Sequence, residues 1–579
     1  MKRFNNFQHN KQFEISFDCH SHCEYSTKLN NRFSKKKRMM QKTLLSCLFV
    51  LSWFEHLPLS FAKKTIFATL GEPWPMPLQR SLSSITFKLS PETFGFNHDR
   101  NNCDILQEAF QRYYNIIFYG TIETPSQEVL QNYQLRGEGD KQQINTLMVT
   151  MTNCPDYPSN TSNEEYMLTV QEDTSHLEAE SIWGVLRGLE TFSQLIYIAE
   201  DGRQTINKTN IVDRPRFPYR GLLLDTSRHF IEVSTLLKNL DAMAYSKLNV
   251  LHFHLVDNPS FPYQSHTFPE LSSQGAYSQN HVYSQDDIDH IVEYARMRGI
   301  RVIPEFDTPG HTQSWIAIQD LLTPCYADDK PNGLFGPVDP SVESNYAFLN
   351  KLYIEIKSKF PDGHIHLGGD EVKHDCWESN PNIVSFMESQ GYGNNYTKLE
   401  GYYAERMTSI ASKLGLGSLV WQEVVDSGAK VPKETIAIVW KDADGGYVDE
   451  LAKVTAKGYR TILSSPWYLN RVKDPHTDPW KKYYKVDPQN FSGTKNQKNL
   501  VIGGEACMWG EYVDNTNVIP RTWPMASVIG ERLWSAKNVR DPNAAASRLA
   551  EHQCRLIRRG LQAQSITGPG FCPQEWHNE

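Results

Sequence analysis

No apolar run in this 579-residue chain is long enough to span a bilayer. The nearest candidate, residues 44–54, has about 11 residues, whereas a spanning helix needs roughly 20. It follows KKKRMM and gives way to a small residue at Ala62, the layout of a secretory signal peptide rather than of a signal anchor. Polar, unpatterned residues 1–38 precede it, and a start at Met39 or Met40 would place the signal where it belongs. The body of the chain also lacks a basic stretch, and the net charge of −8 is mild, so a nucleic-acid partner is set aside. Past the signal, no two cysteines lie close enough for a zinc knuckle. Past the signal come Cys103, Cys154, Cys325, Cys376, Cys507, Cys554 and Cys572, an odd set that leaves one thiol free in a secreted chain. Sequons at Asn160, Asn207, Asn395 and Asn490 agree with a secretory route, and they accept glycans only on exposed loops. Low-complexity tracts and internal repeats are absent apart from one alternation.

That alternation begins near residue 220. An apolar, β-rich run, a turn and a helix-period segment follow one another repeatedly. The runs are GLLLDT (221–226), NVLHFHLVD (249–257), IRVIPEFD (300–307), HIHLGGDE (364–371), SLVWQE (418–423), TIAIVW (435–440), RTILSS (460–465) and LVIGGEACMW (500–509). Between them, STLLKNLDAMAYSK places Leu236, Leu237, Leu240, Met243 and Ala244 on one helix face behind a Ser234 N-cap. DDIDHIVEYARMRG starts acidic, ends basic and closes on Gly299. Eight β runs alternating with helices predict a (β/α)8 barrel over residues 216–579. Residues 63–215 have a different texture, with the β-like SITFKLS, INTLMVTMT and EYMLTV and the helical ESIWGVLRGLETFSQLIYI, and predict a smaller α/β domain. NIVDRPRFPYR between the two reads as a hinge.

Barrels of this kind carry their chemistry at the C-terminal ends of the strands. Just beyond the runs stand Asp225, Arg228, Asp257, Asp307, His311, Asp370, Glu371, Trp421, Glu423, Trp440, Tyr468, Asn470, Trp509 and Glu511. A rim of carboxylates, an Arg and indoles suits a sugar, whose hydroxyls are held by charged groups and whose C–H face stacks on aromatic rings. HIHLGGDEV (364–372) is the most informative stretch. Gly368 and Gly369 let the backbone turn tightly and a ligand come close. Asp370 and Glu371 repel each other, and apolar walls would push one towards its protonated form, as a general acid requires. A solvated, charged strand end is the plain alternative.

The chain resembles the lysosomal β-N-acetylhexosaminidases of glycoside hydrolase family 20, most closely the animal alpha-chain type. The resemblance covers about residues 65–579. It is carried by RGLLLDTSRHF (220–230), LDAMAYSKLNVLHFHLVDNPSFPYQS (240–265), EFDTPGHTQSW (305–315), IHLGGDEV (365–372), VWQEV (420–424), SPWYLNR (465–471) and IGGEACMWGEYVDNT (502–516). It implies exo-hydrolysis of terminal β-HexNAc with retention, in which the substrate's 2-acetamido oxygen attacks C1. Glu371 would be the general acid and base, Asp370 would hold the acetamide N–H, and Tyr468 would donate to the acetamide oxygen. Trp421, Trp440 and Trp509 would box the acetamide methyl, and Arg228 and Glu511 would hold ring hydroxyls. Asp257 and His311 would form a relay to Glu371. The family often shows HWH and VDD where this chain has His252-Phe253-His254 and Asp257-Asn258, so a carboxylate role at Asn258 is in doubt. Asn470-Arg471 matches the alpha-type pattern and would favour an anionic glycan. Implied too are disulfides Cys103–Cys154, Cys325–Cys376 and Cys554–Cys572, with Cys507 buried and free, and a homodimer or heterodimer acting on glycans in the lysosome or outside the cell. No cofactor is implied.

Two other readings are weighed. His252 and His254, two apart on one strand face, could ligate a metal in a metal-dependent hydrolase, but no further ligand stands at an expected place and the pair lies mid-strand. A sugar-binding protein without activity should have lost Asp370, Glu371 or Tyr468, and all are present.

Overall fold

The computed structural model describes residues 66, 68–99, 102–120, 142–442, 446–471, 478–565 and 570–572, and the signal-like segment 35–62 lies outside them. The first part is a mixed sheet of β1 (Gln79–Lys88), β2 (Gly95–His98), β3 (Ile144–Asn153), β4 (Tyr166–Val170), β5 (Asp173–Ser181), β6 (Tyr197–Ile198) and β7 (Gln204–Asp213). Its order is β1-β7-β4-β5-β3-β2, with β6 paired to β7. Two helices, α1 (Asp104–Tyr119) and α2 (Ile182–Leu195), pack on one another, and α2 also covers the sheet. Every residue of α2 is buried, and Ser181 caps it by accepting from the Gly184 amide. Cys103–Cys154 ties the start of α1 to the end of β3.

The second part is a closed barrel of eight strands: β8 (Tyr219–Asp225), β9 (Val250–His254), β10 (Arg301–Glu305), β13 (His364–His366), β14 (Gly417–Trp421), β15 (Ile436–Val439), β16 (Arg460–Leu463) and β17 (Val501–Met508). All neighbouring pairs are parallel. Each strand falls within or overlaps one of the eight apolar runs. The hairpin β11 (Leu322–Ala327) and β12 (Lys330–Val338) lies outside the barrel and is tied by Cys325–Cys376 to the short helix Asp375–Ser379 that follows β13. Around the barrel run helices α3 (Val233–Tyr245), α4 (Gln285–Arg296), α5 (Glu343–Lys359), α6 (Tyr396–Lys413), α7 (Tyr447–Ala456), α8 (Met525–Trp534) and α9 (Pro542–Arg558). Cys554–Cys572 joins α9 to the C-terminal segment, and Cys507 is buried and free.

The structure corrects several sequence expectations. Ser234 is not the cap of α3. The Glu232 carbonyl already accepts from the Thr235 and Leu236 amides, so the helix starts at Val233 and Ser234 lies exposed in its first turn. Leu237 is only half-buried, whereas Leu236, Leu240 and Met243 are fully buried. The segment 210–220 is no hinge. The Arg216 and Phe217 amides donate to Trp534 O and Leu533 O, and buried Asp213 accepts from Lys247 Nζ at 2.9 Å and Tyr166 OH at 2.7 Å. Just before β4, buried Glu164 accepts from Arg187 Nε at 2.8 Å and from Arg220 Nη2 at 2.7 Å, which joins the sheet to the barrel by a desolvated ion cluster. Asn207 does not meet the exposed-loop condition for glycosylation. It lies within β7, half-buried, with its amide donating to Ser83 O at 3.0 Å. Asn160, Asn395 and Asn490 are exposed.

Candidate active site

The barrel gathers the rim residues at the C-terminal ends of its strands. β13 is short because the chain leaves it through Gly368 and Gly369, at φ +72° and +99°. A Cβ on Gly368 would fall 1.6 Å from Asp307 Oδ1, so this turn and the Asp307 carboxyl can share the space only at a glycine. Glu371 and His311 both hold the left-handed region, at φ +49° and +54°. Such strained non-glycine residues concentrate at functional sites.

The adjacent carboxylates point into different surroundings. Asp370 is largely buried, and its Oδ1 finds no hydrogen-bond partner among the described residues. Glu371 is 59% exposed in its side chain, so the apolar walls expected around it are not there. Desolvation falls on two neighbours instead. Burial, then the charges of Asp370 and Glu305, pushes the Asp307 carboxyl well above the usual range. Burial, then the Asp370 charge, pushes Glu423 up to about 7. Glu423 accepts from Trp440 Nε1 at 3.0 Å and lies 3.1 Å from Lys441 Nζ.

His311 Nδ1 lies 3.3 Å from Asp257 Oδ1, while its Nε2 is 3.7 Å from Glu371 Oε2 and 3.9 Å from Asp370 Oδ2. Burial opposes the charge on His311, but the Asp257 hydrogen bond and the Asp370 charge raise its pKa. Asp257 also lies 2.7 Å from Arg228 Nη2 and 3.2 Å from His254 Nε2. Burial works against its charge, yet His254, His311 and Arg228 hold its carboxyl well below the usual range. Asn258 caps this loop by accepting from the Gln313 amide at 3.2 Å.

The aromatic residues make one cluster. Trp421 and Trp509 have centroids 5.9 Å apart, Tyr468 lies 6.4 Å from Trp509, and Trp440 stacks on Tyr468 at 6.4 Å. The Arg228 guanidinium lies over Trp509 at 5.0 Å and donates to Asp225 Oδ2 at 3.0 Å. Exposed Glu511 accepts from Asn470 Nδ2 at 3.4 Å, and Arg471 lies 4.7 Å above the Tyr468 ring. On the Glu371 side a cleft of about 430 Å³ opens, with Glu371, Val372, Thr397, Glu400 and Trp440 among its walls.

Beneath the pocket the expectation that His252 and His254 lack companions is overturned. Glu305 and His366 come from neighbouring strands and stand with His252 inside a 4.8 Å cluster of side-chain nitrogen and oxygen atoms. The contacts are hydrogen-bond separations, 3.1 Å from His252 Nε2 to Glu305 and 3.0 Å from His366 Nδ1 to Glu305. Although burial opposes it, Glu505 and Glu305 lift His252 to about 9. Glu305 itself was missed at the level of sequence. Its only signal is an acidic residue that follows the apolar Val302-Ile303-Pro304 at the end of the strand.

Fold and site define the class: a (β/α)8 hydrolase with a carboxylate pair beside an aromatic pocket. Residues 217–537 match the model for the glycosyl hydrolase family 20 catalytic domain, and residues 73–195 match a domain described as beta-acetyl hexosaminidase like. The chain is 50% identical over 510 residues to beta-hexosaminidase subunit beta of Mus musculus, covering 87% of this chain and 93% of that protein. It is 47% identical over 517 residues to subunit alpha of Bos taurus, covering 88% and 96%. The solved structure of Flavobacterium johnsoniae chitobiase superposes with TM-score 0.73 at 29% identity, over 85% of this chain and 73% of that one. The chain belongs to glycosyl hydrolase family 20 and is a glycoside hydrolase.

Proposed function

We propose that this enzyme is an exo-β-N-acetylhexosaminidase that removes terminal non-reducing GlcNAc or GalNAc by a retaining, substrate-assisted route. The observation that carries the reading is the divergence of Asp370 and Glu371 on one turn. Adjacent carboxylates cannot flank a glycosidic bond from opposite sides. One buried inward and one exposed beside a cleft can serve two different parts of a single sugar. The acetamide oxygen attacks C1 as the C1–O bond breaks, and Glu371 passes its proton to the departing oxygen, which leaves into the cleft. Asp370 Oδ1 takes the acetamide N–H and stabilises the charge on that nitrogen as the oxazoline ring closes. Water then attacks C1 as the oxazoline C1–O bond breaks and the acetamide is restored, Glu371 recovers a proton from the water, and two inversions retain the configuration. Tyr468 aims the acetamide oxygen, and Trp421, Trp440 and Trp509 enclose its methyl. Arg228, fixed by Asp225 and Asp257, and Glu511 hold ring hydroxyls. The Asp257–His311 relay serves Glu371.

A GlcNAc-thiazoline inhibitor mimics the cyclised intermediate and is expected to bind far more tightly than GlcNAc in competition with a chromogenic β-GlcNAc substrate. Weak inhibition, a trapped glycosyl-enzyme, or activity abolished by a chelator would overturn this route. No release of the chromogen would favour a sugar-binding protein instead.

Arg471, held over Tyr468, is the residue that would read an anionic glycan such as 6-sulfated GlcNAc. Arg471→Leu is expected to lower kcat/KM for the sulfated substrate about 10–100-fold and leave neutral GlcNAc nearly unchanged. Equal losses on both would mean that Arg471 holds its loop. Overall identity does not separate the alpha from the beta type, so the alpha-type reading stands on Asn470-Arg471.

The proposal extends to a secretory route, with residues 1–62 as extension and signal, 63–215 and 216–579 as the two domains, and glycans at Asn160, Asn395 and Asn490. It extends also to a dimer that works in the lysosome or outside the cell on chitooligosaccharides, N-glycans or glycolipids.

A further inference from the structure

A barrel interior is ordinarily filled by branched apolar side chains. Here the last residue of β10 is Glu305, a carboxylate with no solvent exposure. Its Oε1 accepts from Trp421 Nε1 at 2.8 Å and lies 3.0 Å from His366 Nδ1. Its Oε2 lies 2.5 Å from His254 Nδ1 and 3.1 Å from His252 Nε2. Each carboxylate oxygen thus holds one hydrogen bond, to Trp421 and to His254, so the group cannot turn without stranding the buried indole N–H. The charges around it alternate. Glu505 meets His252, His252 meets Glu305, Glu305 meets His254, and His254 meets Asp257. Asp257 is the group that holds His311 and Arg228.

We propose that Glu305 is a positioning residue for both halves of the site: through His254 it sets the Asp257–His311 relay behind Glu371, and through the Trp421 indole it sets the wall that receives the acetamide methyl. This rests on the hexosaminidase reading above. The groups facing Glu305 are His252 and His254 from β9, His366 from β13, Trp421 from β14 and Glu505 and Cys507 from β17, with Asp307 two residues further along the chain, beyond the end of β10. Against the opposing effect of burial, Glu305 and its neighbours lift His254 to about 10, so an imidazolium bridges Glu305 and Asp257. A neutral group at position 305 removes the counter-charge of that imidazolium. His254 then loses its proton in the working range, and Asp257 draws more strongly on the proton of His311. A more fully protonated His311 favours the charged form of Glu371.

The test uses Glu305→Gln, Trp421→Phe and the double variant in the full chain, with kcat and KM measured across pH on a chromogenic β-GlcNAc substrate. Glu305→Gln is expected to move the alkaline limb of the kcat/KM profile down by about one pH unit and to raise KM about tenfold. Trp421→Phe, which removes the indole N–H, is expected to raise KM without moving the limb. In the double variant the KM effects should not add, while the limb shift persists. If Glu305→Gln does not fold, His254→Asn tests the relay branch alone and should move the limb with KM unchanged. An activity loss equal at every pH with unchanged KM would make Glu305 merely structural and overturn the inference. So would single-branch variants that alter neither quantity. Absence of GlcNAc release by the unmodified enzyme would instead defeat the hexosaminidase reading.

Discussion

Replacing Glu371 by Gln lowers kcat by about 10²–10⁴ on substrates with poor leaving groups, the usual scale of general acid catalysis. The amide keeps the size of the side chain but has no proton to give. Loss of the alkoxide leaving group then bears the full charge that the carboxylic acid would have neutralised. Activated aryl glycosides should fall much less, because a phenolate leaves without protonation and the acetamide oxygen still attacks. Steady-state kinetics on an alkyl and a nitrophenyl β-GlcNAc pair distinguishes this from a folding defect, which would depress both alike. Equal turnover of the variant and the original on both substrates would remove Glu371 from the role of acid. The exposure of its side chain beside the cleft supports this assignment, since the leaving oxygen has to be reached from that side.

The second large effect concerns stability. Glu164→Ala is expected to destabilise the folded chain by about 3–5 kcal/mol, the scale for stranding one partner of a buried ion pair. Glu164 is the shared anion of Arg187 and Arg220, and both guanidinium groups are buried. Arg187 also donates to Arg298 O and Gly299 O, and Arg220 to Lys247 O and Phe217 O. Removal of the carboxylate therefore leaves two desolvated cations tied in place with no counter-charge. Thermal unfolding followed by tryptophan fluorescence should show a clear fall in midpoint. A midpoint within a degree of the original would mean that water reaches the pair and the cluster is not dry.

The periodic features of this molecule could be read from the chain because they depend on neighbours in sequence. Each of the eight apolar runs contains or overlaps a barrel strand, and the α4 segment closes on Gly299 at φ +65°. Run ends were less legible. The stretch 364–371 continues past β13 because the chain bends out at Gly368 after only three paired residues. The rim residues were legible from one rule about strand ends, but their environments were not. Glu371 is exposed and Asp307 is dry because of a turn geometry that no local pattern encodes. The proline-rich stretch 210–220 looked loose, yet it is pinned by Trp534, Leu533 and Lys247, all distant in sequence. Glu305 was invisible for the same reason, since its partners arrive on three other strands.

The alternating column of Glu505, His252, Glu305 and His254 also sets the medium in which the barrel is firmest. His252 and His254 are raised to about 9 and about 10 from an ordinary 6.5, so their contribution to stability is complete below about pH 6.5 and disappears as pH rises through those values. Glu305 and Glu505 are lowered from an ordinary 4.5 despite burial, which opposes the shift. Their contribution is complete above about pH 4.5 and fades only in stronger acid. The two plateaus overlap in mildly acidic solution. Acid usually loosens a protein by neutralising its carboxylates, but the pairs that His252 and His254 make with Glu305 and Glu505 keep both members charged there, and mild acid is where this column is most tightly bound.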